Sequence, residues 1–198
     1  MRVRGWVEQS VSLLVGIFVS LTLSFAGGTM PGQSQVVDLN GRRVEPLKVS
    51  PARALVLIFT RTDCPISNRY APELKKLHEK FVASGVKFQL VYPGPDESVE
   101  SIRRHIRDYE YWPDVLRDPR HELVKLTGVR VTPEVAVFVP DGSVFRMVYR
   151  GRIDDRYVAF GKMRPAPATR DLEQVLEAIS KGRSVTKRTT TAIGCFIQ

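Results

Sequence analysis

Cysteine and histidine are scarce in this chain, with two of the first and three of the second in 198 residues. No Cys-x-x-Cys and no closely spaced His pair occurs, which argues against the zinc modules that hold small domains together. No glycine-rich dinucleotide fingerprint and no internal repeat is present, so neither a nucleotide-cofactor enzyme nor a solenoid is expected. Charge of one sign is not concentrated anywhere: 30 Lys and Arg are interleaved with 21 Asp and Glu, leaving a net +9 without helix-turn-helix or zinc-finger spacing. Nucleic acid is therefore not an expected partner, and the basic surface reads as that of a soluble domain. What remains is an ordinary globular composition, 43% hydrophobic and 26% charged, sufficient for one domain with a full core and tails.

The amino terminus has the order of a secretory leader. Met1-Arg2-Val3-Arg4 is basic, Val11 to Phe25 is apolar, and Ser24-Phe25-Ala26-Gly27-Gly28 supplies a small-residue exit. We expect a signal peptide over 1–26, a Gly/Ser/Gln linker over 27–35, a folded domain over 36–182 and a tail over 183–198 that carries Cys195. The expected location is periplasmic or secreted. The apolar run falls short of the roughly 20 residues that span a bilayer, and association with a membrane through this segment stays open as the alternative. No cysteine adjoins the exit, so a lipid-modified cysteine has no support.

Local patterns set the order of elements. Val36 to Val44 holds two apolar segments around Asn40-Gly41, a hairpin signature. Ala54 to Thr60 is an uninterrupted β-favouring run, as expected of a strand buried on both faces. Cys64-Pro65 follows it, and Leu74, Leu77, His78 and Phe81 then recur at helical spacing as far as Gly85. Val86 to Tyr92 reads as a strand, Asp96 to Tyr109 as a helix, and Asp118 to Leu126 as a short helix. Val135 to Val139 and Ser143 to Tyr149 pair around Asp141-Gly142, and Asp171 to Ile179 forms a last amphipathic helix. The fold class is α/β, a mixed central sheet with helices on both faces.

The chemistry concentrates at Cys64. A cysteine at a helix start meets unpaired N–H groups and a partial positive charge, which favour the thiolate and lower its pKa. Arg61 and Arg69 add to that field and Asp63 opposes it. Cys195, in Ala192-Ile193-Gly194-Cys195-Phe196-Ile197, is the one other sulfur of this type. A structural disulfide closing a loop of about 130 residues would contribute roughly 4–5 kcal/mol in the chain-entropy account; alternatively, Cys195 is a partner for Cys64 in redox chemistry, delivered by a mobile Lys- and Thr-rich arm over 181–191.

Phe59-Thr60-Arg61-Thr62-Asp63-Cys64-Pro65-Ile66-Ser67-Asn68 and Val131-Thr132-Pro133-Glu134 together resemble the thioredoxin-like superfamily, in particular redoxin domains of the peroxiredoxin and thiol-disulfide oxidoreductase type. The similarity covers about residues 36 to 180. It implies a thioredoxin-like fold with an exposed, activated Cys64 at a helix start and a cis-proline, Pro133, facing it. It also implies Thr132 and Pro133 as the substrate-docking pair, Thr62, Arg61, Ser67 and Asn68 as supporting residues, and a resolving role for Cys195.

The departures are equally specific. Ser67 stands where a thioredoxin dithiol has its second cysteine, and Asn68 where copper-delivery relatives have theirs. Leu57 and Arg61 occupy the positions at which peroxiredoxins carry a Pro and a Thr or Ser, with Thr60 and Thr62 on either side of the latter.

The expected activity is thiol-based oxidoreduction of protein disulfides or peroxides, with an external thiol as reductant and no organic cofactor or metal. The alternative is a non-catalytic copper carrier or assembly factor on the same fold. His78 is expected at a core boundary and His105 and His121 in surface-like segments. Tyr109, Tyr111 and Trp112 read as packing, and the loop running from Ile153 through Pro167 borders the site without an assignable residue.

Overall fold

The computed structural model describes residues 35–48 and 51–198. The expected leader over 1–26, and all of the linker but Gln35, lie outside the described residues. The elements are β1 (Ala54–Phe59), α1 (Pro65–Val82), β2 (Val86–Tyr92), α2 (Val99–Asp108), β3 (Val115–Arg117), α3 (Glu122–Thr127), β4 (Val131–Thr132), β5 (Glu134–Asp141), β6 (Val144–Gly151), β7 (Tyr157–Ala159), β8 (Lys162–Met163), α4 (Asp171–Ser180), β9 (Arg188–Thr189) and β10 (Cys195–Phe196).

The central sheet runs β3-β2-β1-β5-β6-β9, with β1, β2 and β3 parallel, β5 antiparallel to β1, and β6 antiparallel to β5. All six residues of β1 are buried, so both faces of this strand need cover, and alternation along it divides the core in two. Ala54, Val56 and Ile58 join the cluster formed with α1, α4 and Ile102 of α2, whereas Leu55, Leu57 and Phe59 join Leu123 of α3 and Val36. This is the mixed thioredoxin-like sheet with helices on both faces. Among the described residues, no helix is long and apolar enough to cross a membrane.

Three local expectations change. Val115–Arg117 is a strand that pairs with β2 at the sheet edge, and the helix that follows begins only at Glu122. Asp118 is the reason: its carboxylate accepts the Glu122 and Val124 N–H groups at 2.7 and 3.0 Å, so it serves the helix start from outside the helix. The segment over 181–191 is not a free arm. Residues Arg188–Thr189 form β9, parallel to β6, which makes the tail the sixth strand of the sheet. The hairpin around Asn40-Gly41 is reduced to a single Val37–Arg43 bridge, tightened by the Asp38 carboxylate accepting the Asn40 and Arg42 N–H groups.

Candidate functional site

The site lies where β1 ends, α1 begins and β4 turns into β5. Cys64 is the N-cap of α1, with extended backbone and its sulfur 3.5 Å from the Ser67 N–H, while Pro65 occupies the first helical turn, where a missing N–H costs nothing. Thr132 and Pro133 stand opposite, joined by a cis peptide bond. The Cys64 Sγ is 3.0 Å from the Thr132 carbonyl oxygen and 2.7 Å from the Sγ of Cys195, and the two cysteines are unbridged. Cys195 reaches this point because β10 pairs antiparallel with β4, setting Cys195 opposite Thr132 and Phe196 opposite Val131.

These contacts divide the two sulfurs electrically. Burial raises the Cys64 thiol pKa, but hydrogen bonding from Cys195 and from Ser67 outweighs it, and the net displacement is downward from the ordinary thiol value. The Thr132 carbonyl can only accept, so on its own it favours the protonated form. Cys195 moves the other way, pushed up to about 12 by burial and by the bond to Cys64. Of the two thiols, Cys64 is therefore the one that this site makes easier to deprotonate.

Exposure departs from the expectation. Cys64 is only 1% exposed: it belongs to the core cluster of α1, and Cys195 of the tail lies against its sulfur. Gly194 makes this fit possible: a Cβ there would come within 2.2 Å of the Thr132 oxygen. Beside the tail, a cavity of about 870 Å³ is lined by Arg130, Glu134, Arg150, Phe160 and the tail itself, Cys195 included.

The supporting residues separate into those that hold the loop and those that face elsewhere. Asn68 donates from Nδ2 to the Thr62 carbonyl at 3.3 Å. Arg61 pairs with Asp63 at 2.9 Å and lies 3.6 Å from Asp96, so most of its charge is spent within the loop. Arg69 reaches the Met163 sulfur, 3.7 Å from its guanidinium. Ser67 and Thr132 contribute buried hydroxyls that have no hydrogen-bond partner among the described residues.

Two residues that sequence reasoning missed complete the support. His105, expected at the surface, is 4% exposed. Its Nε2 contacts Asn68 Oδ1 at 2.8 Å and its Nδ1 contacts the Tyr92 hydroxyl at 2.8 Å. Because Asn68 donates its amide to Thr62, its oxygen must accept, which assigns the proton to His105 Nε2 and makes Nδ1 the acceptor for Tyr92. Burial depresses the His105 pKa to about 4, keeping the ring neutral. Glu97, also buried, accepts the Thr62 N–H at 2.7 Å, and burial raises its carboxyl above the usual range. The available signal was the spacing of Ile102 and His105 on one face of α2. Ser98, which caps that helix at Ser101, leaves Glu97 free to turn inward.

Trp112 packs as expected: its indole donates to the Phe88 carbonyl and its ring stacks on His78 at 4.3 Å. Among the described residues, no group of three or more His, Cys, Asp or Glu is arranged to hold a metal ion.

Residues 29–147, more than half of the chain, match the AhpC/TSA family. No curated protein matches the sequence. A hypothetical protein from Sinorhizobium meliloti is similar at 24% identity and a TM-score of 0.61, over 74% of this chain and 79% of its own. An uncharacterized conserved protein from Geobacillus kaustophilus is similar at 26% identity and 0.62, over 74% and 77%. A secreted disulfide oxidoreductase of Mycobacterium tuberculosis shares 16% identity at 0.48, over 74% and 93%.

Proposed function

The chain belongs to the AhpC/TSA family of thiol oxidoreductases, and from that premise we propose that it carries out thiol–disulfide exchange with Cys64 as nucleophile and Cys195 as its internal partner. The observation that carries this reading is the 2.7 Å approach of two unbridged sulfurs, that of Cys64 at a helix start with its thiol pKa lowered and that of Cys195 with its pKa raised. The Cys64 thiolate attacks one sulfur of a substrate disulfide; the substrate S–S bond breaks, and its second sulfur leaves as a thiolate with the electron pair. Cys195 then gives up its proton to that thiolate or to water and attacks the Cys64 sulfur, releasing the substrate as a second thiol. The substrate has gained two electrons and the protein holds a Cys64–Cys195 disulfide, which an external thiol reduces.

Cys195 thus replaces the neighbouring cysteine that Ser67 denies to α1. The folded domain over 36–182 supplies the nucleophile and the tail over 183–198 the second thiol. A cleaved leader over 1–26 would place the reaction outside the cytoplasm, where protein disulfides persist.

The test is a disulfide-reduction assay with trapping. Cys64→Ser abolishes turnover, whereas Cys195→Ser still forms, and now accumulates, a mixed disulfide visible by intact mass. Unchanged turnover in Cys64→Ser rejects the proposal. Oxidised wild type should lose the mass of two hydrogens and resist alkylation at both cysteines.

A further inference from the structure

The tail is secured very unevenly. At its upstream end Thr190 is fixed by four contacts. Its N–H bonds the Arg150 carbonyl at 3.0 Å, its hydroxyl meets the Tyr149 hydroxyl at 2.7 Å and accepts the Arg152 N–H at 3.1 Å, and the residue fills the space beside Gly151 that a Cβ would occupy. Downstream, β10 is a two-residue ladder on β4, supported by one bond from the Ile197 N–H to the Arg130 carbonyl, and Phe196 is 77% exposed. Yet this weakly held piece is what sets Cys195 against the Cys64 sulfur.

Among the described residues, strand β4 pairs with nothing except β10. When the piece swings away from Thr190, β4 therefore presents an unpaired two-residue edge directly beside the Cys64 sulfur, and such an edge is completed by another extended strand. The tail defines what fits. The residue before the cysteine has no room for a side chain, since a Cβ would meet the Thr132 oxygen at 2.2 Å. The residues one further back and two further on, Ile193 and Ile197, pack against the two halves of the core.

Resting on the exchange reading above, we propose that residues 192–198 are a built-in substrate mimic that keeps the Cys64 groove shut. Once it is displaced, the groove takes in trans an extended protein strand of pattern apolar–Gly–Cys–x–apolar whose cysteine is in a disulfide. The incoming strand replaces β10 on β4, antiparallel, with its cysteine opposite Thr132. The Cys64 thiolate forms the mixed disulfide with that cysteine, and the partner's other sulfur leaves as thiolate.

The experiment uses the full chain carrying Cys195→Ser and a hexapeptide copying residues 192–197, its cysteine joined by a disulfide to thionitrobenzoate, whose release is coloured. We expect this peptide to react at least tenfold faster than one with Val in place of its Gly. We also expect two independent ways of unseating the mimic, Gly194→Val and Ile197→Asp, each to accelerate release at least tenfold while keeping the preference for the Gly peptide. Equal rates for the two peptides, or no acceleration in either variant, overturn the proposal. The small symmetric thionitrobenzoate disulfide separates the two levels. If it labels Cys64 in the unseated variants but the peptides show no preference, the groove assignment fails and the exchange reading stands. If it leaves Cys64 unlabelled there, the exchange reading itself fails.

Discussion

Helix α1 and the carboxy-terminal tail bring the two sulfurs together, but they are held by different forces. Ile66, Tyr70, Ala71, Leu74, Leu77 and Phe81 bury one face of α1 against β1, β2 and α4, so its position is set by apolar burial of about 1.5–3 kcal/mol for each large side chain. The tail is mostly exposed beyond residue 182 and depends on hydrogen bonds, each with a net contribution of about 0.5–1.5 kcal/mol, on close fits at Gly151 and Gly194, and on the partial burial of Ile193 and Ile197. Cys64 is built into the core while Cys195 is laid over it. In the proposed exchange a resolving thiol has to be movable, and the weak attachment meets that requirement.

The comparison can be broken at several points. Leu74→Ala, at a position 1% exposed, should cost about 2–5 kcal/mol in urea unfolding. Acid should act through His105. Its folded pKa, near 4, lies below the unfolded value of 6.5, so the unfolded chain binds the proton first and stability falls as pH drops from about 6.5 to 4. The loss should be about 3 kcal/mol. The buried acids Glu97, Asp118 and Glu134 are raised and act in the opposite direction, so the His105 contribution is read as the gap between wild type and His105→Gln, which should narrow by that amount on acidification. Thr190→Val removes the hydroxyl shared by Tyr149 and Arg152 and should cost about 1–2 kcal/mol, with faster Cys64 alkylation as its second readout. Phe196→Ala should change stability by less than about 0.5 kcal/mol. If Phe196→Ala were to cost as much as Leu74→Ala, the tail would be core and the contrast would be false.

What could be read from the sequence follows the same division. Strand β1, α1 with Cys64 at its start, β2, the β5–β6 pair and α4 were all legible, because continuous apolar runs, helical spacing and turn residues are local signals that burial reinforces. Pro133 opposite Cys64 was legible through resemblance alone. The tail was not, because Arg188–Thr189 and Cys195–Phe196 are strands two residues long that owe their form to partners roughly 40 to 65 residues upstream in sequence. His105 and Glu97 were hidden for a related reason: each sits in a charged stretch, and only the three-dimensional placement of Asn68 and Thr62 gives these polar groups a buried partner.

The location of β9 also sets how far a released Cys195 could travel. Thr190 remains pinned beside Gly151, and the five residues from there to Cys195 span at most about 17 Å when extended. A sulfur confined to a sphere of that radius has a local concentration at Cys64 on the order of tens of millimolar. Return of the tether would therefore outcompete dilute free thiols for a captured intermediate, making its lifetime a property of a five-residue leash rather than of the surrounding solution.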